Sequence, residues 1–271
     1  MNAVLVTGAT GTTGSRVATR LAARAIAVRP AGRSSAVRFD WYDPGTHAGA
    51  LAGVDRVYLV PPLLDAEPHI VMLPFLELAR TAGVRRVVLL SNSLVSAGGP
   101  MTGVVHQAVA EMFDEWAVLR PTWFMQNVIG RHAQAVGIRA MSAIATSAGS
   151  GRAAFVDAGD IAEVAVEALL RAQPVNTDLI LTGPETLSYD DVAAILTEVS
   201  GRVIRHARLD PAEQPAYYES LGVPEASARF TVGLDAVIAH GSEDRTTDTV
   251  ERVTGTPPRS FRDFAAAEFS P

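Results

Sequence analysis

The 271-residue chain contains no cysteine, so a disulfide framework, a thiolate nucleophile and a cysteine-ligated metal are all excluded. Lysine is absent too: all 23 basic residues are arginines, which removes any Schiff-base chemistry or ammonium-assisted proton relay. No apolar run reaches the roughly 18 residues a membrane span needs. The first apolar run starts so near Met1 that no signal sequence fits before it, and a cytoplasmic protein is expected. A net charge of -6 offers no general attraction to nucleic acid or anionic lipid. Histidines 47, 69, 132, 206 and 240 lack metal-ligand spacing, so no metal is expected.

What is present is 48% hydrophobic and 19% charged, a composition that suits a sheet buried on both faces. Short apolar runs predict strands over 3–7, 25–29, 37–41, 56–60, 87–90, 117–120 and 179–182. Helical spacing predicts helices over 15–24, 46–52, 69–81, 106–115, 161–171 and 189–199. Gly53, Gly83 and Gly201 close three of them, Ser188 caps the last, and Asp160 with Glu163 reads as a capping box for the fifth. Residues 130–155 show too little periodicity to place. The alternation predicts an α/β fold, a Rossmann-like doubly wound parallel sheet with a small C-terminal substrate lobe. Residues 1–130 form the expected core, with 152–184 returning to it; 185–271 form the lobe, with 131–151 contributing.

Gly8, Gly11 and Gly14 lie between the first strand and the first helix, the context in which such a turn seats a dinucleotide pyrophosphate. Thr10, Thr12 and Thr13 share the turn. The end of the second strand selects the cofactor, a carboxylate favouring NAD and a basic residue favouring the 2′-phosphate. Arg29, Arg33 and Ser34 stand there with no carboxylate before Asp40, which points to NADP(H). Val60 and Pro61, ending the fourth strand, Ser91, ending the fifth, and Pro121, ending the sixth, complete the expected cofactor contacts.

Three motifs in order, Thr7-Gly-Ala-Thr-Gly-Thr-Thr-Gly14, Asp40-Trp-Tyr-Asp43 and Leu119-Arg-Pro-Thr-Trp-Phe-Met-Gln-Asn127, resemble the NmrA-like atypical short-chain dehydrogenase/reductases. With Val105-His106 they look most like the branch of ergot-alkaloid-type, festuclavine synthase-like iminium reductases and bacterial relatives. The resemblance spans about residues 1–200. It implies that Asp40 and Trp41 border the adenine and that the strand-five serines and the segment after Pro121 surround the nicotinamide.

Short-chain dehydrogenases ordinarily protonate a carbonyl with a tyrosine whose pKa a nearby lysine lowers; without lysine this pair is excluded. A substrate that needs no such acid fits instead: an imine, iminium or quinone-like carbon of a small aromatic or heterocyclic molecule. His106 is the candidate proton donor, titrating near neutrality, and Ser91 and Ser93 are placed to orient substrate or carboxamide. Tyr58, Trp123 and Phe124 supply an apolar wall, and Asn127 reaches the substrate or caps a helix. An NADPH-dependent reductase, monomeric or homodimeric, is the leading reading; a non-catalytic NADP(H) redox sensor and a redox-neutral isomerase or cyclase remain open.

Overall fold

Ala3–Val6 extend as the first strand, β1, three of its four residues buried, and lead through the glycine turn into helix α1 (Gly14–Ala23), which turns Val17 and Leu21 inward. The computed structural model describes residues 3–269. β2 (Val28–Gly32), β3 (Val37–Arg38), α2 (His47–Leu51), β4 (Val54–Leu59), α3 (His69–Thr81), β5 (Arg86–Leu90), α4 (Thr102–Met112) and β6 (Glu115–Pro121) follow. Next come α5 (Ala133–Met141), β7 (Ala143–Thr146), β8 (Arg152–Ala153), α6 (Ala158–Leu170) and β9 (Thr177–Leu181). The remainder is β10 (Leu187–Ser188), α7 (Tyr189–Ser200), β11 (Arg205–Arg208), α8 (Gln214–Ser220), α9 (Glu225–Ala239), α10 (Thr249–Thr254) and α11 (Phe261–Phe269).

Two compact units result. The first takes residues up to Pro121 with Ala158–Leu181 and Thr249–Thr256; the second takes Thr122–Asp157, Thr182–Asp248 and the residues from Pro257 on. The expected cut after residue 130 therefore falls inside the second unit, as does 152–157. Thr249–Thr256, expected in the lobe, joins the first unit because α10 packs on α6 and β9.

The first unit is a seven-stranded sheet in the order β3-β2-β1-β4-β5-β6-β9, every pairing parallel. All strands thus end at one edge, and the order reverses between β1 and β4, the position where open α/β sheets bind ligands. Leu5, Val57, Leu59, Met72, Phe75, Leu76, Val87 and Leu89 anchor its core, each excluded from solvent. Arg20 of α1 and Arg24 just beyond its end pair with Glu163 and Glu167 of α6, half-exposed bonds that add at most about 1 kcal/mol each but fix the two helices side by side.

Several elements differ from the sequence expectation. β2 starts at Val28 rather than 25, because Ala25 takes a left-handed turn (φ 56°) after α1 and extension begins only beyond it. β3 has two residues where five were expected: Asp40 turns the chain, its carbonyl accepting from Thr46 and His47. α4 begins at Thr102 and ends at Met112, earlier than 106–115 at both ends. α6 begins at Ala158, so Asp160 lies in its first turn rather than at its cap; a carboxylate is favoured in both places by the helix's positive end, which is why spacing alone misplaced it. Residues 130–155 hold α5, β7 and β8, and β7 pairs with β11 far downstream, a partner no local pattern reveals. α3 and the start of α7 stand as expected, with Gly83 and Gly201 left-handed beyond the helix ends. At Ser188 the cap is a reciprocal box, Asp191 returning to the Ser188 amide.

In the second unit, β7 and β11 pair in parallel and β8 and β10 antiparallel, over a core that includes Trp123, Met125, Phe155, Tyr189, Leu196, Phe261 and Phe264. No helix among the described residues is long and apolar enough to cross a membrane. One buried group strains this unit: the Asp235 carboxyl of α9 is 0% exposed, and burial raises its pKa from 3.8 to about 6 despite bonds from Gln214 and the Ser147 amide. A raised carboxyl contributes stability that is complete below its unfolded pKa and is lost as pH climbs through the folded value. Between pH 4 and 7, Asp235→Asn is therefore expected to gain on the parent protein by up to about 3 kcal/mol, read as diverging melting temperatures. A melting-temperature difference that stays constant with pH would contradict this.

Candidate functional site

The turn after β1 is built by glycine. Gly8 has φ 60°, and a Cβ at Gly14 would stand 2.3 Å from the Gly8 carbonyl oxygen, so only glycine lets α1 start this close to the strand end. The Gly11 amide donates to that same carbonyl at 2.8 Å and closes the turn. Thr13 precedes α1 without capping it, no acidic side chain sits in the first turn, and among the described residues the Thr12, Thr13 and Gly14 amides donate to no protein acceptor. Free N–H groups at the positive end of a ten-residue helix make a cradle for an anion, and the residues present fit a dinucleotide pyrophosphate. Thr10 and Gly11 are exposed at its rim.

Below the turn, the buried Thr7 hydroxyl donates to the Tyr58 carbonyl (3.2 Å) and accepts the Val60 amide (2.8 Å), tying β1 to β4. The sequence reading did not single out Thr7; a hydroxyl ending an otherwise apolar strand was the available signal. Tyr58 corrects an expectation: it is fully buried in β4, its phenol beside the Thr13 side chain, with burial pushing its pKa up. On a strand covered on both faces, sequence does not tell which side chains reach the edge, and Tyr58 supports the turn instead of walling a pocket. Val60 and Pro61 lie half-buried at the end of β4, with Val60 methyls 3.3 Å from where a Gly8 Cβ would stand.

The two arginines near β2 separate. The shift of β2 places Arg29 inside the strand, where its guanidinium donates to the Ala50 carbonyl (3.0 Å) and the Gly49 carbonyl (2.7 Å) at the end of α2. Arg33 and Ser34, just past Gly32 at the strand's true end, are exposed. The expected two-arginine fork thus narrows to Arg33 with Ser34. Asp40 is half-buried and binds the Tyr42 amide; Trp41 is 8% exposed, edge-on to Phe39 and Phe75, its indole N–H on the Val60 carbonyl at 3.0 Å.

At the ends of β5 and β6, Ser91 Oγ shares a hydrogen bond with Thr102 Oγ1 (2.8 Å) at the start of α4, and the Ser91 and Ser93 amides bond to the Leu119 and Pro121 carbonyls. Arg120, missed by sequence reasoning because it reads as one more surface arginine, is half-buried: it pairs with Asp178 and donates to the Ser93 carbonyl at 2.9 Å, so it holds the serine loop on β6. The expectation that His106 titrates near neutrality is not met. Its ring is buried beside Trp116, burial lowers its pKa, with Asp178 opposing and Arg120 adding to the shift, and Nδ1 has no partner among the described residues.

The remaining expected residues lie in the second unit. Trp123 is buried in its core, Phe124 bridges to Val156, and Asn127 sits half-buried in the short turn Met125–Val128. Asn127 does not cap α5, which begins after His132.

Separate roles for the arginines predict separable defects. Arg29→Ala is expected to lower stability by about 1–2 kcal/mol and leave the NADPH-to-NADH affinity ratio unchanged. Arg33→Ala is expected to leave melting unchanged and cut NADPH affinity about tenfold or more, roughly 1.4 kcal/mol, sparing NADH. Equal loss of both cofactors in Arg33→Ala would overturn the assignment.

No protein-family model matches the chain. It is 44% identical over 273 residues to the uncharacterized oxidoreductase YesF of Bacillus subtilis, covering 98% of this chain and 95% of that one. It is 36% identical to the agroclavine dehydrogenase of Claviceps fusiformis over 97% of this chain and 96% of that protein. Among solved structures, the NADPH complex of an NADPH-dependent quinone oxidoreductase from Escherichia coli superposes with a TM-score of 0.80 at 21% identity, over 98% of this chain and all of the other. Identity to the curated relatives is high and runs nearly end to end. The chain belongs to the NmrA-like atypical short-chain dehydrogenase/reductases, the oxidoreductase family of the clavine dehydrogenases and their bacterial relatives.

Proposed function

We propose that the protein is an NADPH-dependent reductase that delivers hydride to an imine, iminium or quinone-like carbon of a small aromatic molecule. The observation that carries this reading is that a chain with no lysine has no ammonium to lower a tyrosine's pKa, while burial raises most of its phenols instead. Tyr42 is exposed and bonds Asp65 at 2.6 Å; Tyr58 is buried under the turn; Tyr189 is buried in the second unit; the Tyr218 hydroxyl donates to the Ala145 carbonyl at 2.5 Å; Tyr217 packs edge-on against it. Burial raises the phenols of Tyr58, Tyr189, Tyr217 and Tyr218 and lowers the imidazole of His106, directions that all work against proton donation near pH 7.

Bound NADPH supplies a hydride. An iminium carbon accepts it without a proton, the C=N π pair becoming the nitrogen lone pair of the product amine. The protein's part is then binding and orientation. Gly8, Gly11, Gly14 and the free amides of Thr12 and Thr13 take the pyrophosphate; Thr10 lies on the rim; Arg33 and Ser34 take the 2′-phosphate. Asp40 and Trp41 with Val60 and Pro61 flank the adenosine, and Ser91 and Pro121 border the nicotinamide. Ser93, Trp123, Phe124 and Asn127 are the proposed substrate contacts. Relatives named agroclavine dehydrogenase and NAD(P)H azoreductase, the latter 33% identical over 97% of the chain, support a nitrogen-bearing aromatic substrate.

The test is NADPH consumption with cyclic iminium salts, quinones and ketones of matched size. Iminium and quinone reduction should exceed ketone reduction by about 10²-fold or more in kcat/KM, the factor a general acid would otherwise supply. Tight NADP⁺ binding with no turnover of any class would favour a sensor. His106→Asn should change kcat less than about threefold and leave the pH profile of the parent unchanged; loss of a limb near neutrality that the parent shows would restore His106 as the acid.

A further inference from the structure

We propose that Asp235, with Gln214 and Tyr189, forms a counter-ion site within the second unit for a positively charged nitrogen on the substrate, an inference that rests on the reductase reading above. Asp235 is fully buried. Its Oδ2 accepts Gln214 Nε2 at 2.6 Å and the Ser147 amide at 3.0 Å, while Oδ1 has no partner among the described residues. Gln214 is also fully buried, and having given its amide nitrogen to Asp235 it leaves Oε1 unpartnered. Two neighbouring acceptors stand without a donor, and no arginine or histidine among the described residues pairs with the carboxylate.

Burying an unpaired carboxylate costs several kcal/mol in effect, and an apolar side chain would fill the same space without that penalty. A cation satisfies it: an N–H of an ammonium or secondary iminium donates to Oδ1 and Oε1, and a fully substituted nitrogen pairs through charge alone. The surroundings suit an aromatic cation. The Tyr189 hydroxyl, buried, lies next to the side chains of Trp123 and Gln134 and within the field of Asp235, and Tyr218 is anchored beside them on the Ala145 carbonyl. Tyrosine and tryptophan faces attract cations while excluding water. Trp123 belongs to the segment after Pro121, which the family resemblance implies lies around the nicotinamide. Gln214 and Tyr218 both belong to α8, seven residues long.

The experiment reads binding rather than turnover. Calorimetry on the full chain compares benzyltrimethylammonium, which cannot be reduced, with its neutral carbon analogue neopentylbenzene, in wild type and in Asp235→Asn checked for folding by its melt. The wild type should bind the cation at least tenfold more tightly than the neutral analogue, and Asp235→Asn should bring the two within about twofold. A preference that survives in Asp235→Asn overturns the proposal. A wild type that binds neither probe, or both equally, overturns it whatever the variant does. Failure to reduce any substrate would sink the reductase reading and leave this measurement standing.

Discussion

The approach of α1 to the end of β1, so close that a methyl group on Gly14 would meet the Gly8 carbonyl, is the constraint from which the cofactor half of the molecule follows. The helix starts there with Thr13 at its N-cap making no side-chain cap to its first amides. Those amides then point outward at the switch point of the sheet, between β1 and β4. Everything beneath serves to keep that spacing: Thr7 bonds β1 to β4, Tyr58 fills the space under Thr13, and Trp41 fastens the loop after β3 to Val60. A rigid base is what allows an unsatisfied rim.

Arginine takes over the structural work that a chain without lysine must still do. Several guanidiniums are spent on carbonyls at helix and strand ends rather than on solvent or ligand. Arg29 collects Gly49 and Ala50 at the end of α2; Arg86 and Arg56 gather the Leu169 carbonyl at the end of α6; Arg120 holds Ser93. A planar fork of donors matches such clustered acceptors better than an ammonium does, and the positive charge complements the helix's negative end. Asp235 is the contrast, a buried charge with no arginine assigned to it. In the first unit the buried Arg86 is met by Glu115 and by carbonyls at the end of α6, whereas the buried Asp235 of the second unit receives only the Gln214 amide and the Ser147 N–H.

Legibility in the sequence followed the range of the forces involved. α3 could be read end to end and α7 almost so, since caps and apolar spacing act within a turn or two. β2 slipped by three residues because its start depends on how α1 unwinds at Ala25, and the slip reassigned Arg29 from ligand to scaffold. Tyr58 and His106 were visible as chemistry-bearing residues, yet their burial and the direction of their pKa shifts depend on what packs against them. Arg120 and Thr7 went unnoticed because their partners, Asp178, Ser93 and Tyr58, are distant in the chain.

From the sequence alone came the glycine turn, the parallel α/β alternation, the family, and the exclusion of a tyrosine–lysine acid, because backbone freedom and the presence or absence of a functional group are properties of the residue itself. The tertiary structure decided that Arg29 is tied to carbonyls while Arg33 is exposed, that burial lowers the His106 pKa, that Tyr58 is buried scaffold and that Asp235 Oδ1 has no partner among the described residues. Solvation and partners set those outcomes, and both arise only when segments far apart in the chain exclude water together.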